Sequence, residues 1–589
     1  QIVQETPRVA WRVLPTFSIS RGIVAFNYIT STMATTCKMC FSVLAMLASA
    51  NVVSAGFLQL RAGALEGHIS VQEVSLSLLA EIEATLGSGA AARRLGELEA
   101  QLRPMYQALP KNVHGHLSHS VVRYALHRLF VQRHGWYVTG LDPAGGSFNS
   151  SSPAELLSDQ VPAFIQDLFE KRLHGKGMDL HELAVFGATV EHLIHDEAVG
   201  RLGKALNVHN ILPTDPMTEK QADQVLDTYM MAYILGENLS NMTSQGAQDT
   251  HAEMPELYLA WNETQAFLRK LRANVTAETQ AQEINFATVA KVAEIAGENF
   301  GRFQDKECRD LKAKLVAMED RGSGRVRLGD FYKPALDGDW QFQESVHYLS
   351  ELGAIDDSDP KDVRVIIPNY LLSQSNCIAS SNFYSVCCMD ECEALMGHLE
   401  TEIAAPEASP ERIAQLVANM ASSSVDAPRS LPSSLSQRLD EMAAHHHGTV
   451  PIHGRLFAQW MHHAFPRECQ YPHLSGTTNP QAADDFEDKG HKSTASVDEM
   501  RQHVSTASVK DSSTETPEVS EIEVPWSLEE ELLVVRTSPP LQSAASTWTP
   551  TLRNLIMFSL LASVSIGLVR MFKFAEGSKT SERSEKLFV

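Results

Sequence analysis

The sequence predicts a mainly α chain: a multi-helix ectodomain, a Cys-rich module, a disordered stalk and one C-terminal transmembrane helix. Three observations predict it. Apolar residues recur at helical spacing, with Leu95, Leu98, Leu102, Met105 and Leu109 on one face, and Leu226, Met230, Tyr233 and Ile234 on another. No long series of alternating polar and apolar residues marks a sheet. Two uncharged apolar runs, one near each end, bracket an acidic body.

Residues 1–32 contain no methionine and read as sequence upstream of the start. Met33 opens a segment, 33–55, with the parts of a signal peptide: Lys38 as the basic region, the apolar run 40–53, and small residues at Ser54 and Ala55 where a peptidase would cut. Residues 56–301 read as the helical ectodomain, with a stripe through Val71, Val74, Leu78 and Ile82 and breaks at 141–153 and 212–217. Residues 475–551 are dense in Ser, Thr, Asp, Glu and Pro and read as the stalk, relieved only by a short amphipathic helix at 525–535. The uncharged run 555–569 lies in a candidate span, 552–574, of which fifteen residues cover roughly 22 Å, favouring a thin bilayer. Arg570, Lys573, Lys579, Arg583 and Lys586 follow it and place the tail, 575–589, on the cytosolic side.

The expected topology is therefore a single-pass type I protein of the secretory pathway or cell surface. Phe57 beside the cleavage site suits an algal plastid leader, but Glu66 soon ends the acid-poor stretch such a leader needs. Five sequons, at Asn149, Asn238, Asn241, Asn262 and Asn274, lie between signal and anchor and are candidate glycosylation sites. Cys308, Cys377, Cys387, Cys388, Cys392 and Cys469 form an even set after signal removal. They are disulfide candidates whose connectivity stays open, with adjacent Cys387 and Cys388 taking different partners. The formal charge is −23 from 72 acidic and 49 basic residues, which repels phosphate backbones and excludes nucleic acid as an expected partner.

The most specific local pattern is the run from Glu319 to Asp330. With Glu319 first, Ser323 is fifth, the turn glycine Gly324 sixth, Val326 eighth and Asp330 twelfth. It resembles an EF-hand loop, and residues 302–372 resemble a degenerate EF-hand pair whose second loop runs through Asp356, Asp357 and Asp359, with Val363 pairing Val326. The resemblance implies calcium held by Glu319, Ser323, the Arg325 carbonyl and Asp330. Calcium chemistry, however, needs six to eight oxygens, and Arg321 stands where a carboxylate belongs. A structural pair is the favoured expectation and weak calcium binding the alternative. A similar echo spans 112–117.

His192, His195 and Asp196, on one helical stretch, form a candidate metal or hydrolase cluster that resembles the doublet of HD-type phosphohydrolases. The module 373–474 combines five cysteines with His445, His446, His447, His453, His462, His463 and His473, yet lacks the paired spacing of a zinc site. No nucleophile elbow, phosphate loop or zinc-protease motif is present. Segments 124–136 and 454–463 are similar to those of a group of protist algal membrane proteins, a resemblance that implies no activity. The expected function is the binding of an unidentified protein or ligand, with no catalysis evident.

Overall fold

The computed structural model describes residues 90–141, 175–279, 283–511 and 526–533, apart from positions 321, 340, 379, 380 and 382. The candidate signal, the stripe at Val71 to Ile82, the sequon at Asn149 and the candidate span 552–574 lie outside these residues. No helix among the described residues is long and apolar enough to cross a membrane.

Among the described residues the first seven α-helices are α1 (Ala90–Ala108), α2 (His119–His134), α3 (Leu180–Val208), α4 (Glu219–Leu235), α5 (Ser244–Leu257), α6 (Trp261–Thr279) and α7 (Phe286–Ala317). Their starts are set locally. Asp179 accepts the Glu182 amide at 2.8 Å while the Glu182 carboxylate accepts the Asp179 amide at 3.1 Å, and Thr218 with Gln221 repeats this reciprocal cap. The predicted stripe from Leu95 to Leu109 is buried, as are Leu226, Met230 and Tyr233, in one core with Trp136, Trp261 and Phe300.

Gly135 ends α2 at φ 69°, turning the chain into β1 (Trp136–Val138), which pairs antiparallel with β5 (Tyr384–Val386). Helix α7 crosses the end of α2 at Gly301, where an added Cβ would lie 2.2 Å from the His134 carbonyl oxygen. Neither backbone can yield cheaply. Gly301→Ala is expected to lower the unfolding free energy by about 1–3 kcal/mol, read by urea denaturation.

Beyond α7, β2 (Arg325–Arg327), β3 (Ile355–Asp356) and β4 (Arg364–Ile366) form a small sheet in the order β2-β4-β3. Helices α8 (Leu328–Leu336), α9 (Val346–Glu351) and α10 (Ile367–Leu371) surround it. Val326 pairs with Val365, not with Val363 as expected; Val363 instead accepts the Leu328 amide at 3.0 Å. Between β3 and β4 the Ser358 and Lys361 backbone amides donate to the Asp356 and Asp359 carboxylates, which close the turn.

A third core joins α11 (Glu391–Ile403), α12 (Pro410–Ala418), α13 (Ser433–His445) and α14 (Arg455–Ala464), with β6 (Glu407–Ala408) paired to β7 (Val450–Pro451). The expected Cys/His module is not separate from the helical region. Its β5 completes the pair with β1, and α11 packs on α1 and α2.

The expected stalk is corrected in its first half. Residues 483–511 carry α15 (Ala483–Asp488) and α16 (Val497–Asp511), and Phe486, Ala495 and Met500 are buried in the core built around α8 to α10. Polar composition hides these few anchors, because short helices docked on an existing surface need no long stripe of their own. Trp526 to Leu533 is also docked on the fold, but as extended chain rather than the expected amphipathic helix.

Candidate functional site

The loop from Glu319 to Asp330 sits between α7 and α8, with Gly322 and Gly324 both at φ 72°. Its polar groups face separate partners. One Glu319 oxygen accepts the Gly324 amide and the other accepts Arg467 Nε at 2.7 Å. Ser323 donates to the Asp320 carbonyl at 2.7 Å, the Arg325 carbonyl accepts the Asp320 amide at 2.8 Å, and Asp330 pairs with Lys333 at 2.5 Å. Arginines supply positive charge around this loop: Arg364 lies 3.0 Å from Asp320, and Arg325, 1% exposed, donates to Asp356 at 2.6 Å. Burial alone would raise the Asp356 pKa, but Arg325 and Ser358 hold it below the usual carboxylate range. The partners Arg325 and Arg364 come from the loops themselves, whereas Arg467 arrives from beyond α14, where Pro466 packs against Gly324.

The second candidate cluster is divided. His192 Nε2 lies 3.3 Å from Asp196, whereas His195 Nε2 turns inward to within 3.1 Å of Glu298 on α7. His195 thereby joins a buried ionic network. Arg94 donates to Glu191 at 2.8 Å and to Glu298 at 2.6 Å, His134 lies 3.2 Å from Glu191, and its ring stacks on Trp136 at 4.0 Å. This network ties α1, α2, α3 and α7 together.

Burial would raise the Glu191 pKa, but the His134 hydrogen bond and the Arg94 charge outweigh it and hold it at about 2. A depressed carboxylate contributes stability that is present above its unfolded value near 4.5 and lost as pH falls toward 2. The stability gap between wild type and Glu191→Gln is therefore expected to shrink across that window, read as the difference in melting temperature at successive pH values.

A second network was not legible as a site in the sequence. Arg128, on the buried side of α2, donates through Nε to both Glu393 oxygens at 2.7 and 2.9 Å and through its other end to Glu400. Glu400 in turn contacts His453 at 2.8 Å, and the Arg128 guanidinium lies 5.3 Å from the centre of the Tyr124 ring. Asp390 caps α11 by accepting the Cys392 amide at 2.8 Å; burial and the neighbouring Glu393 charge push its pKa up to about 7. The one available signal was an arginine set among Leu126, Leu129 and Phe130 on an apolar helix.

The six cysteines among the described residues pair, as Cys308–Cys388, Cys377–Cys387 and Cys392–Cys469, so the adjacent Cys387 and Cys388 do take different partners; Cys37 and Cys40 lie outside those residues. The histidines of the same region disperse: His446 to Glu530, His453 to Glu400, His462 to the Cys469 carbonyl and His473 to the Gly353 carbonyl. Among the described residues no three His, Cys, Asp or Glu side chains converge as a metal ion requires. Asn238, Asn241, Asn262 and Asn274 are all exposed.

None of the protein-family models, curated proteins or solved structures compared with this chain matches it.

Proposed function

We propose that this chain is a single-pass type I membrane protein whose glycosylated helical ectodomain binds a partner in the lumen or outside the cell. The observation that carries the reading is the pairing of the six described cysteines into three disulfides, since such bonds persist in oxidising compartments. Exposure of four sequon asparagines on α6 and around 238–241 supports it, as do the apolar segments at 33–55 and 552–574.

In this reading the helices are arranged as degenerate EF-hand pairs kept as scaffold. Support comes from the short antiparallel contacts that join loops just before a helix starts: Leu117 with Met178, Met217 with Ile284, and Val326 with Val365. In the last pair Arg325, Arg364 and Arg467 lie against Asp356, Asp320 and Glu319, and this positive charge among the loop carboxylates supports the structural reading over calcium binding.

Sealed membranes from cells expressing the full chain test the topology. The bulk is expected to resist external protease and to gain mobility after glycosidase treatment. An unglycosylated bulk digested from the cytosolic side overturns the reading.

A further inference from the structure

The extended segment from Trp526 to Leu533 is held across α14 in the manner of a bound peptide. Gln459, 0% exposed, grips the Ser527 backbone from both sides: its amide nitrogen donates to the Ser527 carbonyl and its oxygen accepts the Ser527 amide, each at 3.2 Å. Arg455 repeats the pattern further along, its backbone amide donating to the Glu531 carbonyl and its guanidinium to the Glu529 carbonyl, both at 2.9 Å. Ser120 on α2 then donates to the Leu533 carbonyl at 2.6 Å. Backbone capture by side chains is how proteins hold extended peptides independently of most of their sequence.

Selectivity comes from three side chains of the segment. Trp526 lies between the Arg438 guanidinium, 4.6 Å from its ring centre, and the His463 ring at 5.6 Å. Glu530 meets His446 at 2.9 Å and accepts the Leu456 amide at 3.1 Å in the first turn of α14, where a negative charge is favoured. Glu531 accepts the amide and hydroxyl of Ser475, the hydroxyl at 2.7 Å. The floor is Gly454, where an added Cβ would come within 2.8 Å of Glu530 and 3.0 Å of Leu532.

The segment touches the cores only through its two ends, Trp526 and Leu533. It forms no helix or strand, and Leu528 and Leu532 stand 61% and 40% exposed. Most of its attachment is polar and confined to one groove, so another chain carrying the same groups can replace it.

We propose that the groove across α14 is a receptor site for an extended acidic peptide, with an aromatic anchor followed four and five residues later by two carboxylates. Residues 526–533 are then an internal ligand that occupies the site until such a partner displaces it. The inference extends the partner-binding reading by naming the partner's chemistry, and its test on purified protein does not depend on membrane topology.

The test uses a labelled peptide of sequence PWSLEEELLV. Because the internal segment belongs to the same chain, it competes at an effective concentration of about millimolar, so the wild-type chain should bind the peptide only weakly. The full chain with Trp526→Ala and Glu530→Ala should bind it at least about tenfold more tightly, and adding Gln459→Ala, which deletes both hydrogen bonds to the Ser527 backbone, should remove most of that gain. In the unaltered chain, peptide at about millimolar should accelerate hydrogen exchange at the Ser527 amide and leave the α3 and α7 amides unchanged. Equal binding by wild type and released variant, undiminished binding after Gln459→Ala, or unchanged exchange at Ser527 each overturns the proposal. The exchange measurement holds even where the double variant fails to fold.

Discussion

Replacing Arg128 by Met is expected to cost about 3–5 kcal/mol of stability, with the protein unfolding at markedly lower urea. The guanidinium is 2% exposed and answers Glu393 and Glu400 at once. Removing it leaves two carboxylates in a site shaped for three charges, with only His453 remaining on Glu400. The cost arises from those stranded groups rather than from the net worth of the pair, because taking charges out of water offsets much of their attraction. Arg128→Met combined with Glu393→Gln and Glu400→Gln should therefore recover a large part of the loss. Arg128→Lys should not, since a single ammonium cannot reach both carboxylates in the forked geometry. A triple variant no more stable than Arg128→Met would show that the network acts through something other than charge.

The second large effect is expected on opening Cys392–Cys469. The bond closes a loop of 77 residues, for which chain entropy alone predicts about 4.5 kcal/mol, whereas Cys377–Cys387 closes only 10 and predicts about 2.7. Paired Cys-to-Ser replacement at each bridge, followed by denaturant unfolding, should reproduce that order. The longer bridge has a further local consequence. Beside Cys469, the buried Glu468 reaches Lys312 of α7 at 3.3 Å, and Lys312 also holds Glu391 at 2.6 Å beside Cys392. Loosening the bridge weakens this ionic tie between α7 and α11, so the measured loss should exceed that of the short bridge by more than loop length alone predicts.

Much of the helical framework was legible because its causes are local. The stripe from Leu95 to Leu109 follows from a period of 3.6 residues, and Gly324 from a turn that needs positive φ. Composition misled at 475–511, where Phe486, Ala495 and Met500 are too sparse to show a period but enough to dock short helices. The cluster around His192 failed for the opposite reason. His195 sits three residues on and shares a general direction with His192, yet Glu298 draws it to the interior.

By itself the sequence determined the mainly helical class, the helix starts at Asp179 and Thr218, the even set of cysteines and the acidic surface, all set by neighbours within a few residues or by composition. Tertiary structure alone decided which cysteines pair, which residue meets Val326, and that Arg467 meets Glu319 while Arg128 meets Glu393 and Glu400. Those choices join groups from 10 to 272 positions apart in the chain, as in Cys377 with Cys387 and Arg128 with Glu400. The energy of such a contact depends on burial and geometry that exist only once the helices have packed, so no local pattern can encode it.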